Sequence, residues 1–324
     1  MRRGAVRFPL GGWASSSYNV SIVLFQNTHL IYNPAAGQIR RHPEWLHNSI
    51  RILEQSGCRI TAHPTRGPHD ATRLAREAAR AKASLIVVAG GDGTINETLN
   101  GMADSAAALA ALPAGTANVL CRELGLGTRM ERAAQRLRAC EPVAVRVGVL
   151  ETEAGVRRLF LCMAGVGLDA MVVRRVDDGL KQRTGKMAYW VASAGLLSAR
   201  LPEFDARWSQ DGGRFSFLLA SRVRNYGGDL SIATRASLRR DDLEVVAFEG
   251  SNPVRYLSYF AGVLFGKLDR MRGVRQTAAT QLELSPAVGS PSPVQVDGEF
   301  AGLLPARISI APEPVTLLMP RDYR

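Results

Sequence analysis

Val87-Val88-Ala89-Gly90-Gly91-Asp92-Gly93-Thr94-Ile95-Asn96-Glu97 is the stretch whose reading decides the fold. The apolar run Leu85 to Ala89 predicts a buried parallel strand. It stops at three glycines with an aspartate among them, and a helical segment is expected from Asn96. Glycines at such a junction permit positive φ and a close approach of backbone to ligand. The first N–H groups of the helix then face an anion. Asp92 adds a carboxylate where a phosphate would sit, which makes sense if a metal ion lies between the two negative partners. A tight strand–helix turn that binds nothing is the plainer alternative.

The flanking sequence repeats the pattern. His29 to Tyr32 is a short strand ending in Asn33-Pro34-Ala35-Ala36-Gly37, turn chemistry that also offers Asn33 and backbone N–H groups to a nucleotide. A helix over 43–55 ends at Gly57, a second strand covers Arg59 to Ala62, and Thr65 opens a loop. An Ala-rich helix from Asp70 to Lys82 starts with an aspartate cap. The apolar segment Ala107 to Leu112 leads into Pro113-Ala114-Gly115-Thr116-Ala117-Asn118 and a helix from Val119 to Leu124. This order predicts a Rossmann-like α/β domain with a parallel sheet and a crevice at the carboxyl ends of its strands. Asn33, Thr65 and Gly91 all follow strands and can line that crevice.

After Pro142 the texture changes. Val143 to Val149, Phe215 to Ala220 and Leu243 to Phe248 are short strands between turn residues, which predicts an antiparallel β domain. Helices are expected at Lys186 to Arg200 and Pro253 to Leu268. The expected division is a disordered extension over 1–27, an α/β domain over 28–142, a β-rich domain over 143–312 and a segment 313–324 that returns to the first domain.

The 324 residues carry a net charge of +12, concentrated between Arg174 and Arg275, which suits an anionic partner: nucleotide, nucleic acid or acidic membrane surface. Cys58, Cys121, Cys140 and Cys162 are scattered, which favours reduced thiols in a cytoplasmic protein over disulfides or zinc. All five histidines lie between His29 and His69 without ligand spacing. No apolar segment reaches the ~20 residues of a membrane span, and the basic segment 1–20 lacks the apolar core of a signal peptide. Gly185-Lys186 lacks the spacing and the following Ser/Thr of a P-loop. Gly165 to Ala170 fits G-x-G-x-x-A, but no acidic residue stands about 20 positions on.

Asn33 to Gly37, Gly90 to Glu97, Leu112 to Asn118 and Val296-Asp297-Gly298-Glu299 together resemble the diacylglycerol kinase catalytic-domain family, over Leu30 to about Met319. Gly-Gly-Asp-Gly-Thr is shared with NAD kinases, whereas the Gly-Thr-Ala-Asn turn and the late Asp-Gly-Glu favour the lipid kinases. The resemblance implies a β-sandwich-like second domain and an ATP- and Mg²⁺-dependent transfer to a lipid hydroxyl in the cleft between domains. ATP contacts then fall on Asn33, Pro34, Ala35, Ala36, Gly37, Thr65, Gly91, Asp92, Gly93, Thr94, Ile95, Asn96, Glu97 and Thr116. The general base falls on Glu299, and a metal-associated aspartate on Asp169, beside Asp92. A structural magnesium loop falls on Leu238, Asp241 and Leu243, with Asp242 where the family has glycine. Val119 stands where the family often has an aspartate. The expected partners are a lipid substrate and, peripherally, the anionic cytoplasmic face of a membrane, with no nucleic acid. An NAD kinase-like enzyme and a non-catalytic nucleotide- or membrane-binding protein are the rival readings.

Overall fold

The computed structural model describes residues 25–175, 201–209, 211–227, 230–287 and 292–324. In chain order the elements are β1 (Asn27–Tyr32), α1 (Gly37–Arg41), α2 (Pro43–Glu54), β2 (Arg59–Pro64), α3 (Asp70–Arg80), β3 (Leu85–Gly90), α4 (Asp92–Met102), β4 (Ala108–Pro113), α5 (Val119–Glu123) and α6 (Met130–Leu137). There follow β5 (Cys140–Thr152), β6 (Arg157–Phe160), β7 (Met163–Gly167), α7 (Leu168–Arg175), β8 (Phe204–Trp208), β9 (Asp211–Phe215), β10 (Phe217–Ser221), β11 (Asn225–Tyr226) and β12 (Leu230–Ser231). The rest are β13 (Leu243–Phe248), α8 (Pro253–Leu264), β14 (Val274–Ala279), β15 (Gln281–Pro286), β16 (Pro293–Val296), β17 (Glu299–Leu303) and β18 (Ala306–Pro320).

Strands β2-β1-β3-β4 run parallel in that order, so the chain reverses direction across the sheet between β1 and β3. That is where an open α/β sheet leaves a crevice outside its strand ends. β3 and β4 are buried at every position, as parallel strands covered on both faces must be.

The parallel sheet does not stop at β4. β18 joins it in parallel register, Thr316 opposite Ala108, while the other half of β18 pairs antiparallel with β15. β5 lies antiparallel along almost the whole of β18, interrupted by a bulge between Ile310 and Pro314. Pro142, where the sequence texture changes, lies inside β5. One sheet therefore runs from β2 through β18 to β8 and β9. A second, antiparallel sheet, β14-β13-β10-β7-β16-β17, faces its far half. Between them Phe204, Phe215, Leu218, Val245, Leu282, Val294 and Ile308 form a sandwich core. On the other face of the second sheet Phe217 and Phe248 stack, and Tyr256 and Tyr259 of α8 pack on Phe248.

Three local expectations are corrected. α4 begins at Asp92, not Asn96, so the carboxylate sits in the first helical turn rather than in a loop before it. α3 is not capped by Asp70, whose Oδ2 accepts the Arg66 N–H at 2.8 Å. Glu97 of α4 caps it instead, taking the His69 and Ala71 N–H groups on its two oxygens at 2.8 and 3.2 Å. The helix expected to reach Leu268 ends at Leu264, and a 3₁₀ turn follows at Leu268–Arg270. The expected helix at 186–200 lies outside the described residues.

Candidate active site

The crevice is built by three turns at strand ends. After β1, Asn33 donates its N–H to Ala89 O at 3.0 Å, and its side-chain oxygen holds the Ala35 N–H at 2.9 Å. After β3, Gly90 O accepts the Ala114 and Gly115 N–H groups at 3.1 and 3.3 Å. The Gln38 N–H then reaches Ala114 O at 3.1 Å, so the first and third turns are tied directly. Asn118 clamps the third turn, its amide exchanging two 2.9 Å hydrogen bonds with the backbone of Gly115.

The glycines serve close packing here, not the left-handed conformation expected of them. Gly91 has φ −86° and ψ 179°, ordinary extended backbone. A Cβ on Gly115, however, would lie 2.5 Å from Gly91 Cα. Two backbones thus touch at the mouth of α4, whose N-cap, Gly91, supplies no side-chain cap. Its first N–H groups remain available to an anion. The surroundings suit a phosphate chain: bare backbone, a helix N-terminus and room made by glycines.

Asp92 is the first residue of that helix. Its carboxylate faces the start of α5, with Leu120 N–H 3.4 Å from Oδ1. Desolvation raises its pKa from 3.8 to about 6, the Asp297 charge adds to the rise, and the Val119 and Leu120 N–H groups oppose it. A carboxylate so placed gains from a cation.

Glu299 arrives from the other sheet. It opens β17 just after the β16–β17 turn, and a Cβ on Gly93 would stand 2.7 Å from its Oε1. The late Asp-Gly-Glu thus meets the Gly-Gly-Asp-Gly turn across some two hundred residues of sequence. Asp297 makes the joint: its carboxylate accepts the Leu161, Cys162 and Met163 N–H groups and the Asn96 side-chain amide at 2.8 Å. Asn96 also donates to Leu159 O at 2.8 Å and accepts from Arg158 Nε at 2.7 Å.

The residues expected to contact nucleotide are therefore unlike one another. Asn33, Pro34, Ala35, Gly37, Thr65, Gly91, Gly93, Thr94 and Thr116 keep some exposure around the crevice. Ala36 and Ile95 are buried in the core, Asn96 is spent on the joint and Glu97 on capping α3.

Asp169 is buried in the first turn of α7. Its Oδ1 accepts from the Tyr226 hydroxyl and its Oδ2 from Gln295 Nε2 at 2.6 Å. Gln295 in turn holds the Gly298 N–H at 2.8 Å, one residue before Glu299. Sequence reasoning did not find Tyr226 or Gln295. No local pattern marks them, since each gains its role from a contact 57 or 126 residues away.

The loop expected to hold a structural magnesium has other partners. Leu238 O is taken by Arg222 Nη2 at 3.0 Å and Asp242 O by Arg222 Nη1 at 2.5 Å. Asp241 points outward, 76% exposed, and pairs with Arg146 at 3.6 Å. Leu243 is a core residue of β13 in register with Ala279. Of the two leucine carbonyls expected to face the metal, that of Leu238 is already held by a guanidinium, and Asp241 turns outward, so the residues present fit the ion poorly.

Residues 27–150 match the diacylglycerol kinase catalytic domain, and residues 162–319 the YegS C-terminal NAD kinase beta sandwich-like domain. The chain is 26% identical over 307 residues to a diacylglycerol kinase of Bacillus subtilis (strain 168), covering 92% of this chain and 97% of that one. It is 27% identical over 312 residues to a diacylglycerol kinase of Mycobacterium tuberculosis (strain H37Rv), covering 89% and 99%. A crystal structure of a diacylglycerol kinase from Bacillus anthracis str. Sterne superposes with TM-score 0.75 at 22% identity, covering 93% of this chain and 99% of that one; it shares the fold.

Proposed function

Because the chain belongs to the diacylglycerol kinase catalytic-domain family and is a kinase of that type, we propose that it transfers the γ-phosphate of ATP to the hydroxyl of a lipid such as diacylglycerol. The observation that carries this reading is the meeting of Glu299 with Gly93 at the N-terminus of α4. One sheet presents a phosphate cradle and the other brings a carboxylate to it, which are the parts phosphoryl transfer to an alcohol requires.

In this reading residues 28–142 hold ATP, residues 143–312 hold the lipid, and 313–324 tie the two. The backbone around Gly91, Gly93 and Gly115 and the first turn of α4 receive the phosphates. Asp92 would hold the Mg²⁺ that accompanies ATP, and that ion would supply charge neutralisation at the phosphates. Glu299 accepts the proton of the lipid hydroxyl as its oxygen bonds to the γ-phosphorus. The bond to the bridging oxygen of ADP breaks in the same transfer. Asp169 acts through Gln295, which fixes Gly298 and with it the direction of Glu299.

The test is transfer of radiolabelled γ-phosphate to diacylglycerol, sphingosine and NAD side by side in mixed micelles. Label in a lipid product is the expected result. Label in NAD alone, or in none of the three, would refute the reading.

A further inference from the structure

Arg222 is the largest fully buried side chain of the described residues, at 0% exposure. It follows β10, and its backbone N–H bonds to Cys162 O at 2.8 Å. A guanidinium with no access to water is costly unless acceptors surround it. Here Nη1 and Nη2 have acceptors, the carbonyl oxygens of Asp242 and Leu238, both on the loop that leads into β13, while Nε has none. Burial lowers the pKa of Arg222, and the charges of Asp242 and Asp241 work against that.

That geometry resembles what a metal loop would offer: two backbone oxygens, Leu238 O among them, converge on one cationic group. We propose that Arg222 is a built-in cation that takes the place of a divalent metal in the 232–243 loop, making this part of the fold independent of metal.

The loop matters beyond itself. The Leu238 N–H donates to the Tyr323 hydroxyl at 3.0 Å, and that hydroxyl donates to Glu123 Oε1 at 2.9 Å. The buried Glu123 carboxylate also receives the Arg224 N–H, Arg224 Nε and the Asn225 amide at 3.0 to 3.1 Å. Glu123 ends α5, the helix whose first N–H groups face Asp92. The same segment carries Tyr226, the partner of Asp169. A covalently attached cation thus secures the loop from which the seats of both aspartates are braced. Unlike a bound ion, it is not lost to chelators or to low magnesium.

The experiment is thermal unfolding of the full chain without nucleotide, in EDTA and in Mg²⁺, so its outcome does not depend on kinase activity. The wild-type Tm is expected to be the same in both, apart from any rise that Asp92→Asn abolishes. Arg222→Met leaves two buried carbonyls unpaired and is expected to lower Tm by roughly 5 °C whether or not Mg²⁺ is present. Arg222→Lys, which keeps the charge but not the fork, is expected to regain part of that loss. Two outcomes would overturn the proposal. One is a wild-type Tm that rises with Mg²⁺ and ceases to do so in Asp241→Asn. The other is an Arg222→Met protein as stable as the wild type.

Discussion

At the scale of single residues, the two carboxylates at the mouth of α4 have different tasks. Asp92 is held by the fold in a setting that favours its protonated form, with a pKa of about 6 against 3.8. The folded state therefore binds that proton more tightly than the unfolded chain. This contribution is fully present at pH below ~4 and is lost as pH rises through the folded value. At neutral pH the nucleotide-free protein carries a net cost there. Asp92→Asn is expected to abolish most turnover yet raise Tm at neutral pH, the gap closing in acid; a variant less stable than wild type at neutral pH would contradict the assignment. Glu299 is the proton acceptor in our mechanism. Glu299→Gln is expected to lower kcat by about 10²–10⁴-fold with ATP binding unchanged, as for loss of a general base. Titration of the variant with ATP separates this from a nucleotide-binding role, in which affinity would fall and kcat would stand.

At the scale of elements, contact between turns decides more than the shape of any one turn. The run Leu85 to Ala89 and the glycines after it announce a strand and a turn from composition alone. What composition cannot state is why Gly115 is glycine, since its constraint is Gly91 on another turn. Gly115→Ala forces backbone against backbone, which flexible side chains cannot relieve. The expected result is a loss of about 1–3 kcal/mol in stability together with weakened ATP binding, read by denaturant unfolding and nucleotide titration. A variant with unchanged affinity would show that the close approach does not shape the cradle. Glu97 teaches the same lesson from another side. Its place in the motif suggests nucleotide, while its carboxylate caps α3, and only the packing of α3 on α4 reveals that.

At the scale of the molecule, the alternation of strands and helices up to Leu124 made the parallel sheet legible, and the short strands after Pro142 made the antiparallel one so. The continuity of the first sheet through β18 was not, because a strand's neighbours are set by long-range register and not by its own sequence. The juxtaposition of Glu299 with the glycine turn was legible only by resemblance. Reach to a lipid substrate also belongs to this scale. No helix among the described residues is long and apolar enough to cross a membrane. Leu257 of α8 and Phe265 just beyond it are 57% and 74% exposed, and the exposed basic residues Lys267, Arg270 and Arg272 follow them in sequence. We expect this patch to dock on an anionic bilayer, apolar groups entering the interface and cations holding headgroups at about 1 kcal/mol each. Co-sedimentation with anionic vesicles is expected to fall as salt rises and in Leu257→Ser/Phe265→Ser. Equal sedimentation with neutral and anionic vesicles at every salt concentration would sink the electrostatic part. The helix expected at Lys186 to Arg200, with the basic residues at its two ends, lies outside the described residues.

β18 also sets the order in which the protein can be made. It separates β4 from β15 in the sheet, yet it is the latest of the sheet's described strands to be synthesised. While a ribosome is still translating, β4 has an open edge, and the halves that carry Asp92 and Glu299 lack their common strand. The nascent chain must wait for residues 306–320 before the cleft can close. A cell that stalls translation short of that point is left with an exposed, apolar, sticky edge, a substrate for chaperones and proteases and not a slow kinase.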